Sequence, residues 1–130
     1  MTADDLTTAL RAYAAGLYPL EAGVALLVSN GTFWRRDDFT SRFITVDASI
    51  SDGTTLLAAI DWDAAIAALH AGELPCSGGE RRVLNLSSSL AGGIPVDLRD
   101  AVTGLDDSNI ARLVAAILHA SGKRPDNSRY

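Results

Sequence analysis

The chain has 130 residues, of which 48% are hydrophobic and 21% are charged, and its formal net charge is −5. This balance is typical of a folded globular domain with its own core, and it excludes wholesale disorder. The acidic charge argues against a general binder of the nucleic-acid backbone, and the longest apolar run, residues 22–28, is too short to cross a bilayer.

The chain contains a single cysteine, Cys76, so it cannot form an intrachain disulfide. A lone cysteine fits a reducing compartment. Near the N-terminus, Asp4 and Asp5 stand where a secretion signal would be positively charged. The sequence therefore predicts a cytoplasmic protein with no membrane attachment.

The predicted elements begin with a helix whose start is marked by Thr2 and Asp5, which are spaced as in a capping box. One stripe of apolar residues continues this helix at helical spacing: Leu6, Leu10, Tyr13 and Leu17. A second helix is predicted from Pro19 to about Ser29. It has almost no polar face, so we expect it to be central and buried.

Residues 32–42 mix aromatic and charged side chains, and a short helix from Asp37 or Asp38 fits this segment. Residues 43–46 are rich in β-formers, and the Asp52-Gly53 pair is a turn signal. Residues 55–60 return as a partner strand, or residues 54–60 are helical and merge with the helix that follows. The hairpin is the preferred interpretation.

Capping residues mark the helices of the second half. Asp61 begins a helix that ends at Gly72, and Ser77 with Glu80 forms a second capping box. The helix that follows this box ends at Gly92-Gly93.

The last helices are a short piece over residues 97–102 and a longer helix capped by Asp106, which ends at Gly122. We expect the longer helix to face the core with the apolar stripe Ile110, Leu113, Val114, Ile117 and Leu118. His119 falls on the opposite side and is predicted to be exposed.

These elements predict a mainly α fold, with α+β as the alternative. About five helices pack around one core, with a small β-hairpin near residues 43–60. Residues 1–122 are predicted to form a single helical domain, and residues 123–130 a flexible C-terminal tail.

The segment CSGGERRVL at residues 76–84 resembles the signature stretch of ABC-type ATPases, whose serine and glycines contact a nucleotide phosphate. Such an ATPase needs a Gly-x-x-x-x-Gly-Lys-Ser/Thr loop. The only lysine, Lys123, follows Gly122, but Ile117 occupies the place of the first glycine. We therefore interpret Ser77 and Glu80 as a helix cap.

Two stretches are similar to small uncharacterised proteins encoded by actinobacteria. They run from Ile60-Asp61-Trp62 through the segment 77–84, and from residues 89–98 through Gly104-Leu105-Asp106. This resemblance, over roughly the last two thirds of the chain, implies a discrete fold. It implies no activity and no functional residue.

The sequence assigns no catalytic, cofactor-binding or metal-binding residue. Cys76 precedes a helix start, where the dipole can lower a thiol pKa, and His70 is near enough in sequence to serve as a base, but no third residue orients the pair. Two histidines and one cysteine without paired spacing argue against a metal site. The acidic pairs fall at helix starts, where negative charge is stabilising: 37/38, 61/63, 97/100 and 106/107.

The strongest candidate for partner binding is the segment Trp34-Arg35-Arg36, because tryptophan and arginine dominate the energetics of many interfaces. Arg81 and Arg82 add an exposed basic edge to the predicted partner-binding residues, or they are simply solvated.

The alternative interpretation of this segment is structural. Trp34, Phe39 and Phe43 then close one end of the core, and the arginines at 35 and 36 pair with acidic residues such as Asp37 and Asp38.

We predict a non-enzymatic protein–protein interaction or regulatory module, which needs no cofactor and binds another protein or a second copy of itself as a homodimer. One alternative is a nucleic-acid-associated regulator that uses the helices at 97–102 and 107–120 as a helix-turn-helix-like pair. The other is a small thiol-dependent enzyme that uses Cys76.

Overall fold

The computed structural model describes residues 1–31 and 33–123. Within them the chain forms seven α-helices, a short 3-10 helix and a two-stranded antiparallel sheet, which confirms the prediction of a mainly α fold with a small hairpin. There are seven helices instead of about five because two short segments, of seven and six residues, are helices of their own. Of the predicted tail, only Lys123 lies within the described residues.

The elements follow one another along the chain as α1 (Ala3–Ala14), α2 (Tyr18–Asn30), the 3-10 helix (Phe33–Arg35), α3 (Asp37–Phe43), β1 (Ile44–Ala48), β2 (Leu56–Ile60), α4 (Trp62–His70), α5 (Gly78–Gly92), α6 (Leu98–Thr103) and α7 (Asp107–Ala120). None of the helices in the described part of the chain has both the length and the apolar character that spanning a bilayer requires.

Side-chain caps start most of the helices. At α1 the Thr2 hydroxyl accepts a hydrogen bond from the Asp5 backbone N–H (3.1 Å), and the Asp5 carboxylate accepts one from the Thr2 N–H (3.0 Å). Ser77 and Glu80 form the same reciprocal pair at α5. The predicted capping boxes are therefore confirmed, and each such cap stabilises its helix by about 1 kcal/mol. Single carboxylates cap α4, α6 and α7: Asp61, Asp97 and Asp106.

The contact between α2 and α5 is the most extensive in the fold. At their crossing a Cβ on Gly23 would lie 2.6 Å from the Ala91 Cβ and 2.6 Å from the Ser87 carbonyl oxygen. The two backbones therefore approach more closely than any residue other than glycine allows at this position. As predicted from its lack of a polar face, α2 is central and largely buried.

This pair of helices divides the buried side chains into two groups. On one side, Val24 and Leu27 of α2 and Leu84 of α5 pack with α1, α3, α4 and the hairpin. On the other side, Ala22 and Leu26 of α2 pack with the remaining apolar residues of the second group: Val83, Leu86, Ala101, Leu113 and Ala116. Each of the two helices thus contributes to both parts of the core.

The hairpin prediction is confirmed, because residues 56–60 form a strand rather than an extension of α4. β1 and β2 pair in the register that places Ile44 opposite Ile60 and Ala48 opposite Leu56. In the connecting turn, Asp52 accepts hydrogen bonds from the backbone and the hydroxyl of Thr55, which lowers the pKa of this carboxyl to about 2. The ionised carboxylate therefore holds the turn closed at neutral pH.

The predicted core face of α7 is wrong by a rotation of the helix. Leu113 is buried as expected, but Val114 and Ile117 are half exposed. The buried positions are Asn109, Leu113 and Ala116. Polar contacts with α2 at both ends of α7 fix this face: Asn30 donates to the Asn109 side chain (3.4 Å), and His119 Nε2 lies 2.8 Å from Glu21 Oε1.

Replacing Gly23 tests the helix crossing. We expect Gly23→Ala to lower the free energy of unfolding by about 1–3 kcal/mol, because the added methyl overlaps backbone and side-chain atoms of α5. Gly79→Ala is the matched control, since the nearest heavy atom to a Cβ there is Ser77 Oγ at 4.0 Å. Alanine should leave stability unchanged or raise it by up to about 1 kcal/mol. Urea denaturation of both variants measures the difference, and equal stability of the two would contradict the close approach.

Two neighbouring buried serines on α5 give a second test. The Ser88 hydroxyl donates to the Leu84 carbonyl (2.8 Å), whereas Ser87 Oγ is buried with no hydrogen-bond partner among the described residues. Because an unsatisfied buried hydroxyl costs about 1–3 kcal/mol, we expect Ser87→Ala to stabilise the fold by about 1 kcal/mol. Ser88→Ala should be neutral or slightly destabilising. Thermal unfolding of the two variants decides, and a Ser87→Ala variant that melts below Ser88→Ala would rule this out.

Candidate partner-binding surface

The indole of Trp34 lies inside the fold. Only 6% of this residue is exposed, and its Nε1 donates to the Thr7 hydroxyl of α1 at 2.8 Å. It belongs to the buried group that contains Phe39 and Phe43. Trp34 therefore closes one end of the core, as in the structural interpretation of this segment, and offers a partner almost no area in this conformation.

Arg36 holds the 3-10 helix, α3 and the connection to α5 together. Its guanidinium makes two hydrogen bonds to the Asp38 carboxylate, at 2.9 and 2.6 Å, and donates to the Pro75 carbonyl at 2.6 Å. The same group lies over the Phe33 ring, 5.5 Å from its centroid. The ion pair raises the pKa of Arg36 and lowers that of Asp38. Arg35, in contrast, is exposed.

Arg81 and Arg82 lie in the first turns of α5 and differ in their surroundings. The Arg82 side chain is 21% exposed, and its Nε donates to the Asp100 carbonyl of α6 at 3.1 Å. It fills the space over Gly104, where a Cβ would come within 2.2 Å of its Cζ. The Arg81 side chain is 41% exposed, and its Nη1 lies 3.9 Å from the Asp100 carboxylate, which is beyond hydrogen-bonding distance.

A polar groove separates the start of α5 from α6. It has a volume of about 210 Å³ and is lined by Arg81, Arg82, His70, Asn85, Asp97 and Asp100, with apolar contributions from Pro95, Val96 and Ala101. Two arginines, a histidine and two aspartates are thus among its lining residues. The groove can therefore accept hydrogen-bonding and charged groups of a partner, with Arg81 as its more exposed cation.

The fold brings Arg36 to the end of α5 that carries Arg81 and Arg82, because its guanidinium donates to the Pro75 carbonyl just before that helix. Arg36 and Arg81, 45 positions apart in the sequence, both act electrostatically on the Cys76 thiol. We use "arginine surface" for Arg35, Arg36, Arg81 and Arg82 together. Sequence reasoning named these four residues but gave no reason to expect that Arg36 would lie at this end of α5.

The environment of Cys76 does not favour a thiolate. Burial and the neighbouring Glu80 carboxylate raise the pKa of this thiol, and Arg36 and Arg81 only partly offset them. His70 lines the groove with Arg81 and Arg82. Within residues 1–31 and 33–123, no three or more histidine, cysteine, aspartate or glutamate side chains are grouped as metal ligands.

The arrangement of α6 and α7 differs from that of a DNA-binding helix pair. α6 packs against α5, whereas α7 packs mainly along α2. At the start of α7, Asp106 caps the helix and Asp107 adds a second negative charge. Arg112 donates to the Asn109 side chain at 3.0 Å. A duplex phosphate approaching the start of this helix would meet carboxylates before a cation.

Sequence reasoning missed Asp100 and Gly104, which position Arg82. Asp100 appeared only as a residue of a helix start, and the space above Gly104 depends on how α6 packs against α5. No signal in the sequence links these residues to Arg82, because the contacts join residues about twenty positions apart through a turn.

Comparison of the chain with family models, with curated proteins and with solved structures finds no match in any of the three.

The raised thiol pKa gives a test of Cys76. At pH 7.5 a smaller fraction of a thiol with a raised pKa is ionised, so we expect iodoacetamide to alkylate Cys76 severalfold more slowly in the folded protein than in guanidinium. Glu80→Gln keeps the helix cap and removes the charge, so it should speed up the reaction. Mass spectrometry follows the labelling. Faster labelling of the folded protein below pH 7 would favour the thiol-dependent alternative.

Proposed function

We propose that this chain is a non-enzymatic protein-interaction module of the cytoplasm, which binds an acidic segment of a partner protein at the arginine surface. The observation that carries this proposal is that Arg36 donates to the Pro75 carbonyl, just before the start of α5, and that the first turns of α5 carry Arg81 and Arg82. Arginine is enriched among the residues that dominate interfaces, because its planar fork matches a carboxylate and its stem covers apolar surface.

The four arginines have different parts in this proposal. Arg36 and Arg82 hold the surface in shape, because their hydrogen bonds tie α3 and α6 to the segment around the start of α5. Arg35 and Arg81 are the more accessible cations. A partner carboxylate that meets Arg81 forms a shorter contact than the 3.9 Å that separates Arg81 from Asp100.

The environment of Cys76, the candidate nucleophile, supports the proposal of a non-enzymatic module. Cys76 has a raised pKa, and Ser77 and Glu80 are engaged in capping α5. In the segment that resembles an ATPase signature, the polar side chains of Ser77 and Glu80 thus stabilise the start of a helix. The proposed cytoplasmic location rests on the lone cysteine, which fits a reducing compartment.

Reversing the charge of Arg81 tests the proposed surface. We expect Arg81→Glu to weaken association with the partner by about tenfold, because it replaces an accessible cation with a carboxylate that repels an acidic segment. Arg11→Glu on α1 is the matched control, since it makes the same change in charge at another exposed arginine. Cross-linking in the source cell identifies the partner, and titration with the purified partner measures the affinity.

Fold integrity is checked by thermal unfolding of both variants, which should melt close to the wild-type protein because both side chains are on the surface. If Arg81→Glu and Arg35→Glu leave every association unchanged, the arginine surface is not the binding site.

A further inference from the structure

The hairpin has one edge that no other strand occupies. The sheet contains only β1 and β2 in the described residues, and α1 lies along β2. The hydrogen bonds at the ends of the hairpin show which backbone groups of β1 point outward. The Asp61 N–H donates to the Phe43 carbonyl, and the Ser49 N–H donates to the Thr55 carbonyl.

With the observed register, these bonds place Thr45 and Asp47 in the hydrogen-bonded pairs of the antiparallel ladder. The N–H and C=O groups of Ile44, Val46 and Ala48 therefore point away from β2. None of these groups makes a hydrogen bond to another group within residues 1–31 and 33–123. β1 thus presents an unpaired row of donors and acceptors, here called the free edge.

The free edge has few of the features that keep sheet edges from pairing, and Asp47 is its single charged residue. β1 has the sequence ITVDA, with no proline, glycine or lysine, and three of its residues are β-branched. Ile44 and Val46 are only partly covered by the core. The groove on the outer face of the hairpin, which Thr45 and Asp47 line, also includes the fully exposed Ile50.

The free edge is complementary to itself. If two copies meet antiparallel about a two-fold axis at Val46, Val46 pairs with the partner's Val46, and Ile44 pairs with the partner's Ala48. The outward groups of these residues then exchange their hydrogen bonds. Thr45 stands opposite the partner's Asp47 in a non-hydrogen-bonded pair, where cross-strand side chains are closest, so its hydroxyl can donate to that carboxylate.

Only this register pairs the outward N–H and C=O groups along the full length of β1 and also keeps the two Asp47 carboxylates from lying directly opposite each other. Sliding one copy by two residues in one direction places Asp47 opposite the partner's Asp47. Sliding it in the other direction leaves Asp47 with no residue of the partner strand opposite it. Like charges directly opposite are destabilising, so the first alternative is disfavoured. The second loses hydrogen bonds at one end of the edge. The sequence of β1 therefore favours a single register for its pairing with β1 of a second copy.

We propose that a second copy of this chain docks on the free edge, so that the two hairpins form one continuous four-stranded antiparallel sheet across a two-fold axis. This homodimer uses β1 and not the arginine surface, so it goes beyond the proposed function and does not depend on it.

Charge changes at Thr45 test the register. Thr45→Asp places a carboxylate opposite the partner's Asp47 twice across the axis, so the dimer dissociation constant should rise roughly five- to tenfold. Adding Asp47→Lys to Thr45→Asp restores an opposite-charge pair and should return the constant to near the wild-type value. Ser108→Asp on α7 adds the same charge on a different element and should change it less than twofold.

Val46→Pro removes an outward N–H that β2 does not use, and it should abolish dimerisation. Sedimentation equilibrium measures all five proteins, and circular dichroism melting shows whether each variant is folded.

A wild-type protein that is monomeric at about 1 mM, which corresponds to an association free energy near −4 kcal/mol, would overturn the proposal. Equal weakening by Thr45→Asp and Ser108→Asp would also overturn it, because the effect would then reflect net charge. Arg81→Glu should leave the dimer intact. If Arg81→Glu dissociates the dimer, the free edge is not the dimer interface. If it leaves both partner binding and the dimer unchanged, the proposed function fails and the dimer proposal stands.

Discussion

The close contact between α2 and α5 is the constraint on which the other elements depend. It requires glycine at position 23, and it brings small residues of α5, Ser87 and Ala91, against the α2 backbone. Because both helices are buried on two sides, α1 with the hairpin and α4 pack on one side of the pair, and α6 and α7 on the other. The arginine surface lies at the N-terminal end of α5, where hydrogen bonds of Arg36 to Pro75 and of Arg82 to Asp100 shape it.

Much of the fold could be predicted because local chemistry marks the ends of the elements. Thr2, Ser77 and the single aspartate caps satisfy helix-end amides within three residues of themselves, so their function is readable from spacing alone. The face of α7 was not readable in this way. Its orientation depends on Asn30 and Glu21, which are 79 and 98 residues from their partners in α7, and apolar periodicity alone favoured a rotated face.

In the candidate site, too, residue types could be read from the sequence, but contacts between residues distant in the sequence could not. Residue type made Trp34 a partner-binding candidate, but its contact with Thr7, 27 positions away, uses the indole N–H inside the fold. Arg81 and Arg82 look equivalent in the sequence, yet α6 covers one and leaves the other more accessible. The free edge of β1 was invisible in the sequence, because it depends on the register of the hairpin and on α1 lying along β2. Short-range capping and the burial of α2 could be predicted, whereas the accessibility of the individual arginines and of Trp34 could not.

The positions of the arginine surface and the free edge connect the two proposals physically. Arg36 precedes α3 and β1 follows it directly, so a helix of seven residues, about 10 Å long, separates them. A dimer joined through β1 would therefore carry two arginine surfaces, with Arg36 of each copy separated from the shared sheet by the short helix α3. Two linked sites bind a partner that carries two acidic segments more tightly than either site alone, without any new contact. If both proposals hold, two weak contacts such as that of Arg81 would bind such a partner more tightly than one of them alone.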